Sequence, residues 1–557
     1  MKVILVSLNC GRMYYSLSLL LLKAYAKKYL PFSANIQILN FSINDTNHYI
    51  LRKILQEEPD IVGFSNMHHS SSKTSILSYL IKEIRPKTII VHGGSEISLF
   101  KKTFLKNNPM IDFVVENEGE KTFTDLLVAI KEGKSCFDEI SGLCWQRDGK
   151  IVRNPPEILV EKMKLNYLDI IPSPYLMGLV NINDIQNFAL LEASRGCLFK
   201  CSFCCESRWY GKVYYYSEDR VCEELLYLMK NNVRAIEFLD TSFVLDKVRA
   251  HHILEFIIQH NRNTVFFSEM ILSRLDDELI DLLVRANFKA IETGLQSIES
   301  KTLKDINRPF LVASDKKKID KMKEKELYIF VDVMAGLPGE TIEDFKRSLD
   351  YVFEIDEDTF SIIPVLFLTK ILPGSALYEK REEYHLISNK EPPFDLFCSK
   401  DLSIYGVERI LCIGFAFIIL QFNIPNFYIF VIKTLSSSLS LSPSTLLERM
   451  GNYLQKHPFY SKIYSITNFW EFQGNLILES YLSLRQHNIP LDFFFQYISE
   501  EPIKTKSLVR RTVSTLKAAF AAEDILNKFP TQPWFLRIKL SYLISRYNLR
   551  FSPSTVS

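Results

Sequence analysis

The sequence predicts an α/β protein in three parts. These are an N-terminal flavodoxin-like (Rossmann-type) doubly wound domain, a central partial (β/α)6 barrel of the TIM type, and a C-terminal α-helical domain. Three observations carry this expectation. Short apolar strands alternate with helical-period segments over residues 1–135. The alternation resumes over residues 187–380, now with glycine-bearing phrases at the strand ends. It stops over residues 381–557, where only helical periods remain. A chain of 557 residues is also too long for a single core.

In the first part the expected strands are Val3–Ser7, Ile36–Leu39, Ile61–Phe64, Thr88–Val91 and Phe113–Val115. Helical patterns fall at Leu17–Tyr29, Tyr49–Gln56, Ser75–Ile84 and Thr122–Lys131. Such alternation implies a parallel sheet covered on both faces, with a ligand beyond the carboxyl ends of its strands. Those ends read Val91-His92-Gly93-Gly94-Ser95-Glu96 and Glu116-Asn117-Glu118-Gly119-Glu120. Residues 136–186 read as a linker. It holds a hairpin over Gly142–Val152 with Asp148-Gly149 at its turn, then the breaks Pro155-Pro156 and Pro172-Ser173-Pro174.

The barrel strands are expected at Phe188–Leu191, Ala235–Asp240, Thr264–Phe267, Ala290–Ser297, Tyr328–Met334 and Phe360–Phe367. The last part holds helical patterns at Val407–Gln421, Leu441–Tyr453, Phe469–Arg485, Ser507–Leu526 and Trp534–Tyr547, with Ser436–Pro443 as a linker. Phe493-Phe494-Phe495 reads as core. Ile410–Ile432 carries no charge, but Gln421, Asn423, Pro425 and Asn426 interrupt it. Each apolar half is shorter than the ~20 residues that span a bilayer, so two buried helices are expected and no membrane span.

The chemistry concentrates behind the first barrel strand. Cys197, Cys201 and Cys204 stand at the spacing Cys-x3-Cys-x2-Cys, and no fourth ligand follows at a comparable interval. Thiolates favour iron–sulfur clusters and zinc. A structural zinc site closes with four ligands, whereas a 4Fe–4S cube on three cysteines keeps one iron open for a substrate-like ligand. The remaining cysteines form no paired framework, and Met1–Leu8 reads as a strand rather than a signal peptide. A reducing cytoplasm is therefore expected. With 67 basic and 65 acidic residues, nothing suggests a nucleic-acid partner.

This cysteine pattern, with the aromatic Phe203 before the third thiol, resembles the radical S-adenosylmethionine (SAM) superfamily. Gly294-Leu295-Gln296-Ser297 with Asn307-Arg308 downstream, Gly336-Leu337-Pro338-Gly339-Glu340-Thr341, and Pro373-Gly374-Ser375 follow in the order typical of its cobalamin-linked class. The Gly93-Gly94 pair and the Glu118-Gly119-Glu120 turn resemble that class's cobalamin-binding domain, and residues 381–557 resemble its trailing helical domain of unknown function. The resemblance implies a 4Fe–4S cluster on Cys197, Cys201 and Cys204, and SAM contacts from Phe203, Glu269, Gln296 and Gly336. It further implies cobalamin against Gly93, Gly94, Glu118 and Gly119.

The implied activity is reductive cleavage of SAM to a 5′-deoxyadenosyl radical, serving cobalamin-dependent methylation of an unactivated carbon. A flavodoxin or ferredoxin would supply the electron, and the substrate would be a small molecule or peptide. The alternatives are cyclisation or rearrangement without cobalamin, or a degenerate relative acting as a scaffold. The Asp-x-His-x-x-Gly loop that gives cobalt a lower histidine is missing, since the chain reads Asn9-Cys10-Gly11-Arg12-Met13. His68 and His69 lie behind the third strand, at the same mouth. A methylthiotransferase would carry three further cysteines in the N-terminal domain, where only Cys10 lies.

Overall fold

The computed structural model describes residues 1–456, apart from 10–14, 68, 159–160, 162, 164, 166, 309–311, 357–360, 393 and 424–427. The expected helices over 469–485, 507–526 and 534–547, Phe493–Phe495, His68 and the Cys10–Met13 stretch lie outside the described residues. The chain divides into two compact units. The first holds residues 1–292, 305–311 and 370–396, and the second holds 293–304, 312–369 and 397–557.

The first unit opens with a parallel sheet of β1 (Lys2–Asn9), β2 (Asn35–Ser42), β3 (Ile61–Ser65), β4 (Ile89–Gly93) and β5 (Phe113–Val115), in the order β2-β1-β3-β4-β5. Helices α1 (Leu17–Tyr29), α2 (Asn47–Gln56), α3 (Ser71–Ile84), α4 (Ser95–Asn107) and α5 (Glu120–Lys131) connect the strands. Strand period sorts the core onto two faces. Val3 and Leu5 of β1 pack with Leu19 of α1 and Leu126 and Leu127 of α5. Ile4, Val6 and Leu8 pack with Ile50 and Ile54 of α2 and Leu77 and Ile81 of α3. Ser16 caps α1 by accepting from the Leu19 N–H.

The hairpin expected in a linker instead extends this sheet. Strand β6 (Leu143–Arg147) pairs antiparallel with β5, and β7 (Lys150–Arg153) pairs with β6. The physical reason is burial: Leu143 and Trp145 join the cluster that Phe113 and Phe137 build. The turn falls at Asp148 and Gly149, both at positive φ.

The same unit carries the first strands of the second alternation. These are β8 (Ala189–Leu191), β11 (Ala235–Phe238), β12 (Val265–Glu269) and the start of β13 (Phe288–Gln296), all paired in parallel. A short antiparallel pair, β9 (Ser194–Arg195) with β10 (Tyr214–Tyr215), stands beside them. One side of β8 pairs with β11. On the other, the Leu190 N–H donates to the Tyr15 hydroxyl at 2.8 Å, and Tyr175 donates to the Leu190 carbonyl. The two tyrosine hydroxyls also bond each other at 2.7 Å.

The second unit contributes parallel strands β14 (Tyr328–Ala335) and β15 (Ile362–Leu368), with helices over Val312–Glu324 and Ile342–Glu354. Strands β8, β11, β12, β13, β14 and β15 correspond to the six expected of a partial (β/α)6 barrel. Helices Ile404–Asn423, Tyr428–Leu439 and Pro443–Lys456 follow. The stretch read as a linker from Ser436 is helical through Leu439, because Ser436 is buried, and the helix ends where Ser440 turns to positive φ. Pro443 opens the next helix, as expected.

These helices are tied to Ile342–Glu354 by polar contacts. Lys346 reaches Glu448 at 2.8 Å, and Asp350 accepts from both the N–H and the hydroxyl of Ser444 at 2.7 Å. Among the described residues no helix is long and apolar enough to cross a membrane.

Candidate functional site

The three cysteines lie on a loop closed at its neck by the β9–β10 pair, where Arg195 faces Tyr214. Gly196 sits at φ +95° directly inside that neck, and a Cβ there would lie 2.2 Å from the Lys212 carbonyl oxygen. Residues far along the chain hold the loop in shape. Ser202 donates its N–H to Ile306 and accepts from Leu377, at 2.8 and 2.7 Å. Asn307 donates to the Lys200 carbonyl at 2.9 Å, and the Arg308 guanidinium stands 3.6 Å from the Cys201 sulfur. The Asn307-Arg308 phrase and the turn behind Pro373-Gly374-Ser375 thus serve to brace the cysteine loop.

The donor set fits an iron–sulfur cluster. Cys201 is buried, while Cys197 and Cys204 are half-buried. Burial pushes the Cys204 thiol up to about 11, and the neighbouring Cys201 and Cys197 add to the shift. Thiols placed together in this way ionise when a cation compensates them. Among the described residues no three metal-binding side chains converge on a single ion.

Gly93, Gly94, Glu118 and Gly119 all line one cavity of about 300 Å3 at the carboxyl ends of β1, β3, β4 and β5. Its floor is backbone: Gly94 lies at φ +112°, and a Cβ there would lie 2.4 Å from the Asn66 carbonyl oxygen. A cradle that leaves no room for a side chain suits a broad, flat ligand such as a corrin. His92 lines it as well but is a core residue. Burial drives its ring down to about 3, and Asn66 and Ser78 take its two nitrogens at 3.0 and 2.8 Å. His69 turns its Nε2 to the Leu8 carbonyl at 3.2 Å and does not line the cavity.

The far wall comes from the cysteine segment itself, through Glu192, Arg195 and Tyr210. Sequence reasoning missed this wall. The one signal was the pair of charges, Glu192 and Arg195, between the apolar run Phe188–Leu191 and Cys197.

The four residues expected at SAM are divided between the units. Phe203 is half-buried on the cysteine loop and Glu269 ends β12, both in the first unit. Gln296 ends β13 at φ 68°, and Gly336 follows β14 at φ 80°, both in the second. Glu269 stands in an acidic setting that includes Glu237 of β11, which the sequence did not single out. Burial, then the charge of Glu292, raises both Glu269 and Glu237 to about 7, and Arg308 opposes the shift at Glu269. The Gln296 side-chain oxygen is buried without a hydrogen-bond partner among the described residues, and such an acceptor suits a ligand donor.

Behind Gly336, Glu340 is fully buried and accepts from the Gly336 and Leu337 N–H groups at 3.2 and 3.3 Å. Burial pushes its carboxyl up to about 8, against opposing hydrogen bonds that include Ser297. Thr341 caps the next helix in a capping box with Asp344. Because the folded value lies above the ordinary 4.5, stability from this group is complete below pH 4.5 and declines as pH rises through about 8. Replacing Glu340 by Gln keeps a neutral side chain of the same size. The variant is expected to be the more stable protein at pH 9, by about 1–3 kcal/mol, and to lose that advantage at pH 5. Melting curves at the two pH values check this; equal curves at pH 9 would refute it.

Comparison with known proteins agrees with this geometry. The B12 binding domain family matches residues 5–127, and the radical SAM superfamily matches residues 191–352. An uncharacterized methyltransferase of Pyrococcus horikoshii is 25% identical over 362 residues, covering 64% of this chain and 77% of the relative. The anaerobic magnesium-protoporphyrin IX monomethyl ester cyclase of Rubrivivax gelatinosus is 23% identical over 308 residues, covering 54% and 55%. The solved structure of OxsB, a cobalamin-dependent SAM radical enzyme with aqua-cobalamin and SAM bound, shares the fold. Its TM-score is 0.60 at 16% identity, covering 98% of this chain and 84% of that one. The chain therefore carries a B12 binding domain and a radical SAM domain, and it is an enzyme that uses a 4Fe–4S cluster, SAM and cobalamin.

Proposed function

We propose that the protein transfers a methyl group to an unactivated carbon of a small molecule or peptide. One observation carries this reading: the cavity lined by Gly93, Gly94, Glu118 and Gly119 shares its wall with the cysteine segment, and both lie in one compact unit. Bound there, the cluster supplies an electron, SAM the radical source and cobalamin the methyl carrier. Cys197, Cys201 and Cys204 hold the cluster. Phe203 would offer backbone contacts near the adenine, Glu269 and Gln296 would bond the ribose or the methionine end of SAM, and Gly336 would let the backbone pass the adenine. Gly93, Gly94, Glu118 and Gly119 seat the corrin. A reductant is needed by every radical SAM enzyme; a flavodoxin or ferredoxin fills that role.

Anaerobic reconstitution is expected to give roughly four irons per chain and SAM-dependent release of 5′-deoxyadenosine, both lost in Cys201→Ala. Failure of both in the unaltered protein would sink the radical reading. Expression with added cobalamin is expected to give a corrinoid absorbance. The cyclase relative favours a second reading, ring formation without methyl transfer. Methyl-labelled SAM separates the two, since label reaches the product only in the first.

A further inference from the structure

Arg195 lies two residues before the first cysteine, yet its side chain is committed to the cobalamin-type domain. Its guanidinium reaches Glu118 at 3.3 Å and Glu120 at 2.7 Å, both on the turn between β5 and α5. It also takes both oxygens of Glu192 at 3.0 Å, and Glu192 accepts from the Tyr216 hydroxyl at 3.1 Å. Arg195, Glu118 and Glu120 are buried, with side chains no more than 8% exposed. One cation thus answers three carboxylates, and all three line the same cavity as Gly93 and Gly94.

We propose that Arg195 is a positioning residue that couples occupancy of the corrin cavity to assembly of the cluster loop. The proposal rests on the cobalamin reading above. A carboxylate oxygen accepts more than one donor, and the rim of a corrin carries amide N–H groups. A ligand that donates to Glu118 or Glu120 changes their hold on Arg195. Arg195 is fixed to the neck of the cysteine loop by its pairing with Tyr214, so the shift is delivered where the thiols must converge. Tyr210, behind the last thiol, lines the same cavity. Coupling of this kind is reciprocal: the assembled cluster strengthens corrin binding by the factor by which corrin favours the cluster.

The test uses the full chain, prepared anaerobically with and without the reconstituted cluster and titrated with hydroxocobalamin by absorbance. The cluster-bearing protein is expected to bind about ten-fold tighter. In Arg195→Lys, which keeps the charge but not the fork, the ratio is expected to fall to about one. Hydroxocobalamin should alter the paramagnetic resonance of the reduced cluster in the unaltered protein and not in this variant. Glu120→Gln, which retains Arg195, should reduce the ratio as well, and it decides the matter if Arg195→Lys does not fold. A merely structural Arg195 would weaken both affinities alike and leave the ratio intact. That outcome, or a ratio near one in the unaltered protein, overturns the coupling and leaves the cobalamin reading standing. No binding of hydroxocobalamin in any state overturns both.

Discussion

Gly196→Ala is expected to empty the protein of iron while leaving its secondary structure in place. The residue sits at φ +95°, where an L side chain costs about 1–3 kcal/mol. Its new Cβ would meet the Lys212 carbonyl oxygen at 2.2 Å and the Tyr210 Cβ at 2.9 Å. The first of these is backbone and has no rotamer by which to retreat. Relief requires the two sides of the neck to part, which breaks the pairing of Arg195 with Tyr214. Cys197 follows immediately, so the thiols lose their common geometry. Iron is expected to fall from roughly four per chain to below about one, with a circular dichroism spectrum close to that of the unaltered protein. Full iron loading of the variant would show that the neck plays no part in holding the cluster.

Gly94→Ala should produce the complementary defect. Here the added Cβ would lie 2.4 Å from the Asn66 oxygen and 2.8 Å from its nitrogen, at φ +112°. Asn66 is pinned by His92, by the Phe64 carbonyl and by its N–H bond to Gly93, so the strain spreads into the cradle floor. Hydroxocobalamin affinity is expected to drop at least about ten-fold, which corresponds to 1.4 kcal/mol or more of the 1–3 kcal/mol strain. The cysteine loop is built by other residues, and the iron content should be unchanged. Iron loss in this variant, or unchanged corrinoid affinity, would refute the separation of the two sites.

What the residues announced and what they concealed follow one physical division. Strand and helix periods are local, so β1 to β5 and the six barrel strands lie close to where the pattern places them. The cysteine spacing is local too, as is the Gly93-Gly94 pair at a strand end. Pairings over long separations left little trace. Arg195 and its carboxylates Glu118 and Glu120 are 77 and 75 residues apart, and the stretch Glu192-Ala193-Ser194-Arg195 does not say which distant carboxylates answer its charge. The hairpin of β6 and β7 was evident from its turn, but its docking on β5 depends on Phe113 and Phe137 receiving Trp145. The end of helix Tyr428–Leu439 was obscured by serines that resemble a linker, although Ser436 is buried.

The two tyrosines on β8 bear on how the protein survives in a crowded solution. A barrel of six strands ends in open edges, and a bare edge offers its backbone groups to any passing strand. On β8 the N–H and the carbonyl of the central residue are already taken by Tyr15 and Tyr175. Both hydroxyls stay protonated, Tyr15 being pushed up to about 12 and Tyr175 well above its ordinary value by burial. The strand that delivers the chain to its cysteines is thereby closed to edge-to-edge association by side chains alone, without a further strand being added.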